Sequence, residues 1–205
     1  FDNDGYRDLL ITNGFPKDVT DRDFMMYHAE SGLLATQDML LDQIPVIKVV
    51  NYAFKNKGNL KFEDVSKEWG FDIPSFSNGA AYGDLDNDGD LDLVVNNLNE
   101  RAFVYRNNSN PGTTTNFLSL DLGNAFGTRV RLYTDGETQV QEFQPVKGYM
   151  SSVDPRLNFG LGKHTQVDSV IIDWPSGKQT VLRQVPSNKV LFPKEVNAKV
   201  GKSII

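Results

Sequence analysis

The sequence contains no cysteine, which excludes disulfide bonds, thiolate zinc sites and cysteine nucleophiles. It has two histidines, His28 and His164, and neither has a neighbouring acidic or hydroxyl residue with the character of a catalytic triad. A glycine-rich phosphate loop, a metalloprotease helix motif and a G-x-S-x-G motif are also missing. The sequence therefore predicts a protein that is not an enzyme by itself.

Basic residues are in the minority, and long apolar runs are absent. The chain of 205 residues has 21 Lys and Arg against 27 Asp and Glu, a net charge of −6. This balance argues against a nucleic-acid partner, which would require a basic stripe. Because no apolar run reaches about eighteen residues, no transmembrane segment is predicted. The length allows one or two domains with a sizeable core.

The feature that the sequence does have is a concentration of aspartates between residues 84 and 92. Carboxylates this close repel one another unless protonation or a cation relieves the repulsion. Their alternation, with Gly89 at the sharp turn, favours a loop that surrounds Ca²⁺ with oxygen ligands. A solvated acidic turn without metal is the alternative, but turn formation alone does not require the first and last of these aspartates. The predicted ligands are the side chains of Asp84, Asp86, Asp88 and Asp92 and the backbone carbonyl of Asp90.

The residues before and after the aspartates exclude two known classes of calcium loop. An EF-hand requires a bidentate Glu at position twelve, where this sequence has Val95 inside an apolar run. The glycine-rich nonapeptide calcium repeat is excluded because no paired glycines precede the aspartates. What remains is a loop between two strands, entered through residues 78–83 and left through residues 91–96.

A second copy of the loop opens the chain, because residues 1–13 align with residues 85–97. The aspartate expected at position one would precede Phe1. We therefore expect the sequence to be a fragment cut within a repeat, and this first loop to bind calcium less well. Its predicted ligands are the side chains of Asp2, Asp4 and Asp8 and the carbonyl of Tyr6.

The two copies differ in length. Phe54-Lys55-Asn56 resembles Tyr105-Arg106-Asn107 as the end of a strand, so the first copy carries an insertion at roughly residues 15–47. The insertion is predicted to be helical, with Thr20 as the capping residue of its first helix, a break at Gly32, a second helical segment from Ala35 to Gln43 and Pro45 as its end. Its methionines and aromatics are expected to pack the insertion onto its host, with a ligand-contacting patch as the alternative.

The sequence changes character near residue 108. A polar segment there predicts a domain boundary between a repeat region, residues 1–108, and a β domain, residues 116–195. Short alternating segments separated by turns such as Asp135-Gly136 predict an antiparallel, sandwich-like or barrel-like domain. The predicted fold class is all-β throughout.

These residues carry a family resemblance. The repeated aspartate loop resembles FG-GAP/VCBS repeats, which implies blades of an integrin-α-like β-propeller, here incomplete. The C-terminal part resembles the ASPIC/UnbV domain of the cartilage acidic protein family. The matching segments of that domain are residues 126–130, 141–142, 147–149, 158–162 and 168–177.

The resulting functional hypothesis is a calcium-stabilised, non-catalytic module for interaction or adhesion. The expected location is extracellular, cell-surface or periplasmic, and the expected partner is a protein or glycan, with self-association through open strand edges. The alternatives are an accessory part of a secreted polysaccharide-processing enzyme and, third, a hydrolase active on its own. Trp69 and Phe76 are candidates for sugar stacking, or else hydrophobic anchors between blades.

Overall fold

The computed structural model describes residues 1–31, 36–109 and 115–201, and most of its regular structure is β-strand. The all-β prediction is thereby confirmed. The chain divides into two compact units, which are treated separately below. The strands are β1 (Leu9–Ile11), β2 (Tyr52–Asn56), β3 (Phe62–Asp64), β4 (Ser77–Gly83), β5 (Asp92–Asn97), β6 (Phe103–Tyr105), β7 (Asn116–Leu120), β8 (Arg129–Thr134), β9 (Glu137–Glu142), β10 (Val146–Gly148), β11 (Ser151–Ser152), β12 (Leu157–Gly162), β13 (Gln166–Asp173), β14 (Lys178–Pro186), β15 (Lys189–Leu191) and β16 (Lys199–Val200).

One unit comprises residues 8–80 and 95–103. Its sheet is antiparallel in the order β1-β2-β3, with Leu9 opposite Phe54 and Asn56 opposite Phe62. Its interior is partly polar, since the Asn51 amide donates to the Ser77 hydroxyl, which donates to the Asn97 side chain. Each of these buried groups thus has a partner, as burial of polar atoms requires.

The insertion in this unit is helical, with α1 (Arg22–Ser31) and α2 (Gln37–Asp42). The predicted cap at Thr20 is wrong: the Asp21 carboxylate accepts the Phe24 N–H (2.9 Å), whereas the Thr20 hydroxyl donates to Asp18. The competing acceptor explains the difference, because a hydroxyl that donates to a neighbouring carboxylate is turned away from the helix N-terminus. The predicted break at Gly32 and restart at Ala35 lie outside the described residues.

The methionines of these helices are not packed as expected. Met25, Met26 and Met39 each expose more than half of their surface, so the predicted packing of this stripe onto its host is wrong for these side chains. The helices are short, and the described part of α2 has no buried residue.

The other unit comprises residues 1–7, 81–94 and 104–205, of which residues 110–114 and 202–205 lie outside the described part. Its C-terminal part contains a three-stranded sheet, β12-β7-β15, and a five-stranded sheet, β16-β14-β13-β8-β9. Both sheets contribute apolar side chains to one buried cluster, among them Leu118, Phe159, Leu132 and Ile172, as in a sandwich. A 3₁₀ turn, Glu195–Asn197, precedes β16, and β10 and β11 form a separate small hairpin.

One strand pair departs from the antiparallel prediction. β15 runs parallel to β7, with Lys189 opposite Leu118, on the edge of β7 that the antiparallel strand β12 leaves free. The Asn188 side chain fixes this arrangement by accepting the Phe117 N–H, while the Asn188 N–H donates to the Phe117 carbonyl (2.7 Å).

Candidate metal site

The aspartate loop joins two strands of a three-stranded sheet with the order β4-β5-β6. It leaves β4 after Gly83 and enters β5 at Asp92, so the predicted placement between two strands is confirmed. Two residues take positive φ, Asn87 (61°) and Gly89 (91°). Asn and Gly are the residues that tolerate this backbone region best, which explains how the sequence forms so tight a loop.

Three carboxylates of the loop come together. One carboxylate oxygen from each of Asp84, Asp86 and Asp88 lies within 4.8 Å of the other two. Among the described residues, this is the group of acidic or histidine side chains whose spacing would allow a shared metal ion. A donor set of carboxylate oxygens suits a hard cation. The structure thus brings together the alternating positions of the predicted ligand set.

Asp84 is the buried member of this cluster, with 7% of its surface exposed. Its Oδ2 accepts the Gly89 N–H (3.2 Å), whereas its Oδ1 is buried without a hydrogen-bond partner. A buried carboxylate oxygen left in this state is costly unless a cation or a donor compensates it. The residues present therefore fit a bound cation.

The electrostatics of the cluster differ between its members. Burial raises the pKa of the Asp84 carboxyl, and the Gly89 hydrogen bond and the positive charge of Arg156 offset this only in part. For Asp88, burial also acts to raise the pKa, but hydrogen bonding with Asp90 and the Arg106 charge outweigh it, and the pKa is lowered. Arg106 lies 2.8 Å from the Asp86 carboxylate and 3.9 Å from that of Asp88.

The last two aspartates of the loop are placed differently. The carboxylate of Asp92 accepts two backbone N–H groups, from Leu85 (3.1 Å) and from Asn107 (2.8 Å), and lies outside the group of three. Asp90 is fully buried, and its N–H donates to Asp88. Metal ligation by Asp92 and by the Asp90 carbonyl stays a prediction. The hydrogen bond from the Asn107 N–H to the Asp92 carboxylate links the loop to the end of β6, and this link is called the tether below.

The N-terminal copy repeats much of this geometry. Asn3 (φ 57°) and Gly5 (φ 96°) take the same backbone region as their counterparts. The Tyr6 N–H donates to Asp4 (2.8 Å), as the Asp90 N–H does to Asp88. The Asp4 N–H donates in turn to Asp2 (3.2 Å). Calcium binding by this loop stays a prediction.

Asp8, the last predicted ligand of the N-terminal copy, lies in the unit of residues 8–80 and 95–103. Its carboxylate accepts the Asn56 N–H (2.9 Å), just as Asp92 accepts that of Asn107. The two asparagines are the strand-end residues that the sequence alignment paired. The tether is therefore a repeated feature of the chain.

An arginine from the C-terminal part contacts the aspartate loop, and this contact was not predicted from the sequence. Arg156 Nη2 donates to the Asp84 carbonyl (2.7 Å), and its Nη1 donates to Asn87 Oδ1 (2.8 Å). The Arg156 guanidinium is also paired with the Asp154 carboxylate, with Nη2 2.6 Å from Oδ2. Burial acts to raise the pKa of Asp154, but the Arg156 hydrogen bonds and charge reverse this and lower it.

Glycines explain how closely these segments pack. A Cβ at Gly89 would overlap the ring of Phe117, the residue before the buried Leu118 in β7. A Cβ at Gly160 in β12 would lie 2.6 Å from the backbone of Asn3, whose carbonyl accepts the Gly162 N–H (2.8 Å). At Gly160, therefore, the requirement for glycine is steric.

The other sequence candidates lie apart from this cluster. Phe76 is buried, with the Lys48 ammonium 5.4 Å from its ring centre, so its ring is not exposed for the sugar stacking that the sequence left open. Its role as a hydrophobic anchor between blades stays a prediction. Trp69 is partly buried.

Comparison with known proteins finds a match in the C-terminal part, and the chain spans about a fifth of the length of the curated relatives it matches. Residues 122–200 match the family model described as ASPIC and UnbV. The chain is 31% identical over 132 residues to cartilage acidic protein 1 of Homo sapiens, and 30% identical over the same length to cartilage acidic protein 1 of Mus musculus. Each alignment covers 57% of this chain but only 19% and 20% of those relatives. Among the described residues, no helix has the length and apolar character needed to cross a membrane.

Proposed function

We propose that the aspartate loop binds Ca²⁺ and that the ion serves to stabilise the fold. The observation that carries this is the buried Asp84 Oδ1 without a hydrogen-bond partner, inside a cluster of three carboxylates. Asp84, Asp86 and Asp88 would hold the ion, which would neutralise their mutual repulsion. Because the ion binds the folded loop and not the unfolded chain, it stabilises the protein by linkage.

We further propose that the protein is a non-catalytic interaction module that works outside the cytoplasm. Loops of this kind in extracellular modules bind Ca²⁺ with Kd of about 10⁻⁴–10⁻³ M, which suits an extracellular or periplasmic calcium concentration. The match of residues 122–200 and the similarity to cartilage acidic protein 1 support this assignment. The shared geometry of the two loops supports FG-GAP/VCBS repeats, as blades of a β-propeller, as the origin of the remaining chain.

Thermal unfolding in Ca²⁺ and in chelator tests the calcium proposal. At free Ca²⁺ about 100 times Kd, linkage stabilises the protein by about 2.7 kcal/mol, so Tm rises by several degrees over that in chelator. Asp88→Asn should abolish most of this rise, since it removes one carboxylate of the cluster. Asp72→Asn, which removes the same charge from an exposed site, should leave the rise unchanged.

The same measurement can contradict the proposal. If the Tm of the wild-type protein is equal in chelator and in free Ca²⁺ raised to about 100 times that Kd, the loop is not a calcium site. A rise that persists fully in Asp88→Asn would place the ion elsewhere.

A further inference from the structure

The aspartate loop is held from outside by a pair of side chains that are not themselves metal ligands. We propose that Arg156, fixed by Asp154, is a positioning residue of the metal site, which sets the shape of the loop from the C-terminal part of the chain. This inference rests on the proposed calcium function. It makes residues 154–156 part of the metal site, although they lie far from the loop in the sequence.

The hydrogen bonds of Arg156 with the loop do not use the clustered carboxylate oxygens, although its Nη1 forms a longer ion pair with Asp84 Oδ2. The guanidinium donates to the Asp84 backbone carbonyl and to the Asn87 side chain, and neither acceptor is one of the clustered carboxylate oxygens. Its approach to Asp84 Oδ2, at 3.7 Å, is longer than a hydrogen bond. Arg156 therefore holds the two ends of the first loop turn and leaves the cluster oxygens available to an ion.

The arginine is itself fixed in place. Its Nε lies 3.1 and 3.0 Å from the two Asp154 oxygens, and its Nη2 lies 2.6 Å from one of them, a forked pairing specific to guanidinium. Asp154 also accepts the Asp84 N–H (3.3 Å). The exposed fractions of the two side chains are 21% for Arg156 and 13% for Asp154, so the pair is shielded from solvent.

The charge of the pair explains why its effect on the ion is geometric. Asp154 neutralises the guanidinium, so the pair adds little net positive charge beside a bound cation. Without an ion, the three clustered carboxylates repel one another and favour an open loop. Arg156 opposes this opening, which lowers the cost of arranging the loop when an ion binds. Outer-shell groups of this type typically change metal affinity by about 10–100-fold.

Calorimetric titration of the whole chain with Ca²⁺ tests this role. We expect Arg156→Gln to raise the Kd for Ca²⁺ about tenfold or more. The matched control is Arg129→Gln, which removes an arginine from the same unit at an exposed ion pair of 4.0 Å and should leave Kd within about twofold. Tb³⁺ bound in place of Ca²⁺ supplies a second measurement. Its luminescence lifetimes in H₂O and D₂O should show more bound water in Arg156→Gln, which a general loss of stability would not cause.

A second variant acts from the loop side, should Arg156→Gln fail to fold. Asn87→Gly removes the acceptor of Arg156 Nη1 and tolerates the positive φ of that position. It should raise Kd severalfold, whereas Asn99→Gly, the same change at a φ of 56° elsewhere in the chain, should not.

The outcomes separate this inference from the calcium proposal. If the wild-type protein does not bind Ca²⁺, the proposed function fails. If the wild type binds and the folded Arg156→Gln and Asn87→Gly variants bind equally well, the positioning role is overturned. Tighter binding by Arg156→Gln would also overturn it, because it would show that the arginine competes with the ion.

Discussion

Gly89 is the residue at which backbone conformation and packing restrict the aspartate loop together. It has a φ of 91°, and a Cβ there would meet the Phe117 ring. Gly136 has a similar φ, 82°, but a Cβ there would meet no atom within 4 Å. The two glycines therefore separate conformational strain from close packing.

Replacing each of them with alanine should measure both effects. Gly136→Ala should lower the free energy of unfolding by about 1–2 kcal/mol, the cost of a Cβ in the left-handed region. Gly89→Ala should lower the free energy of unfolding by about 1–3 kcal/mol more than Gly136→Ala does, since the Phe117 ring must also move. Chemical denaturation in chelator measures both. Equal losses in the two variants would mean that Phe117 yields without cost.

What the sequence predicted at the residue scale depended on local spacing. The alternation of Asp84, Asp86 and Asp88 was enough to predict that their carboxylates meet, because loop geometry acts over a few residues. Arg156 was not predictable, since its contacts with Asp84 and Asn87 depend on how distant strands pack. The prediction for Thr20 failed locally, because its hydroxyl donates to Asp18 and the Asp21 carboxylate accepts the helix N–H in its place.

At the scale of elements, each aspartate loop is tethered to the end of a later strand. The Asp92 carboxylate accepts the N–H of Leu85 and of Asn107, and the Asp8 carboxylate accepts that of Asn56. These bonds do not involve an ion. The last aspartate of the motif therefore stabilises the loop through these hydrogen bonds even when no metal is bound.

The tether predicts that Asp92 matters in the absence of calcium. In chelator, Asp92→Ala should lower the free energy of unfolding by about 2 kcal/mol or more, because it leaves two backbone N–H groups without their acceptor. Asp86→Asn should change the stability in chelator by less than about 1 kcal/mol, since relief of carboxylate repulsion offsets the loss of its exposed ion pair with Arg106. Equilibrium urea unfolding of both variants in chelator measures these changes in the free energy of unfolding. A loss from Asp92→Ala that is seen only with Ca²⁺ would instead make Asp92 purely a ligand.

The elements themselves were predicted unevenly. The turns at Asp135-Gly136 and at residues 174–177 join β8 to β9 and β13 to β14, as their turn residues indicated. The parallel pairing of β15 with β7 was missed, because the direction of a strand depends on the route that the chain takes between the two strands, which turn residues do not reveal.

At the scale of the whole molecule, the aspartate loop of residues 84–92, residues 1–7 of the N-terminal copy and the C-terminal strands belong to one compact unit. The apolar cluster of that unit lies between Leu118 and Val185, so it is contained in the C-terminal part alone. Residues 1–7 and 81–94 add contacts at its surface, among them the bond from Gly162 N–H to Asn3. The match of the family model to residues 122–200 covers the cluster only in part, since Leu118 and Leu120 precede it.

A fragment of residues 116–201 tests this division of roles. We expect it to fold, since it retains the apolar cluster, but with a Tm lower than that of the same strands in the whole chain. Hydrogen exchange should be faster at the β12 amides, above all at Gly162, which loses its acceptor. Circular dichroism and exchange measurements on both chains provide the comparison. An unfolded fragment, or one with unchanged β12 protection, would contradict this account.

The position of β7 has a consequence for the order in which the chain folds. Leu118 lies at the centre of its sheet, opposite Phe159 on one side and Lys189 on the other, and both partners come much later in the chain. Local hairpins such as β8-β9 and β13-β14 can form early. The second edge of β7 is paired only when β15, residues 189–191, is available. Such long-range pairing closes large loops and slows folding to milliseconds or seconds. During synthesis on the ribosome, β7 therefore stays open on that edge until β15 has emerged.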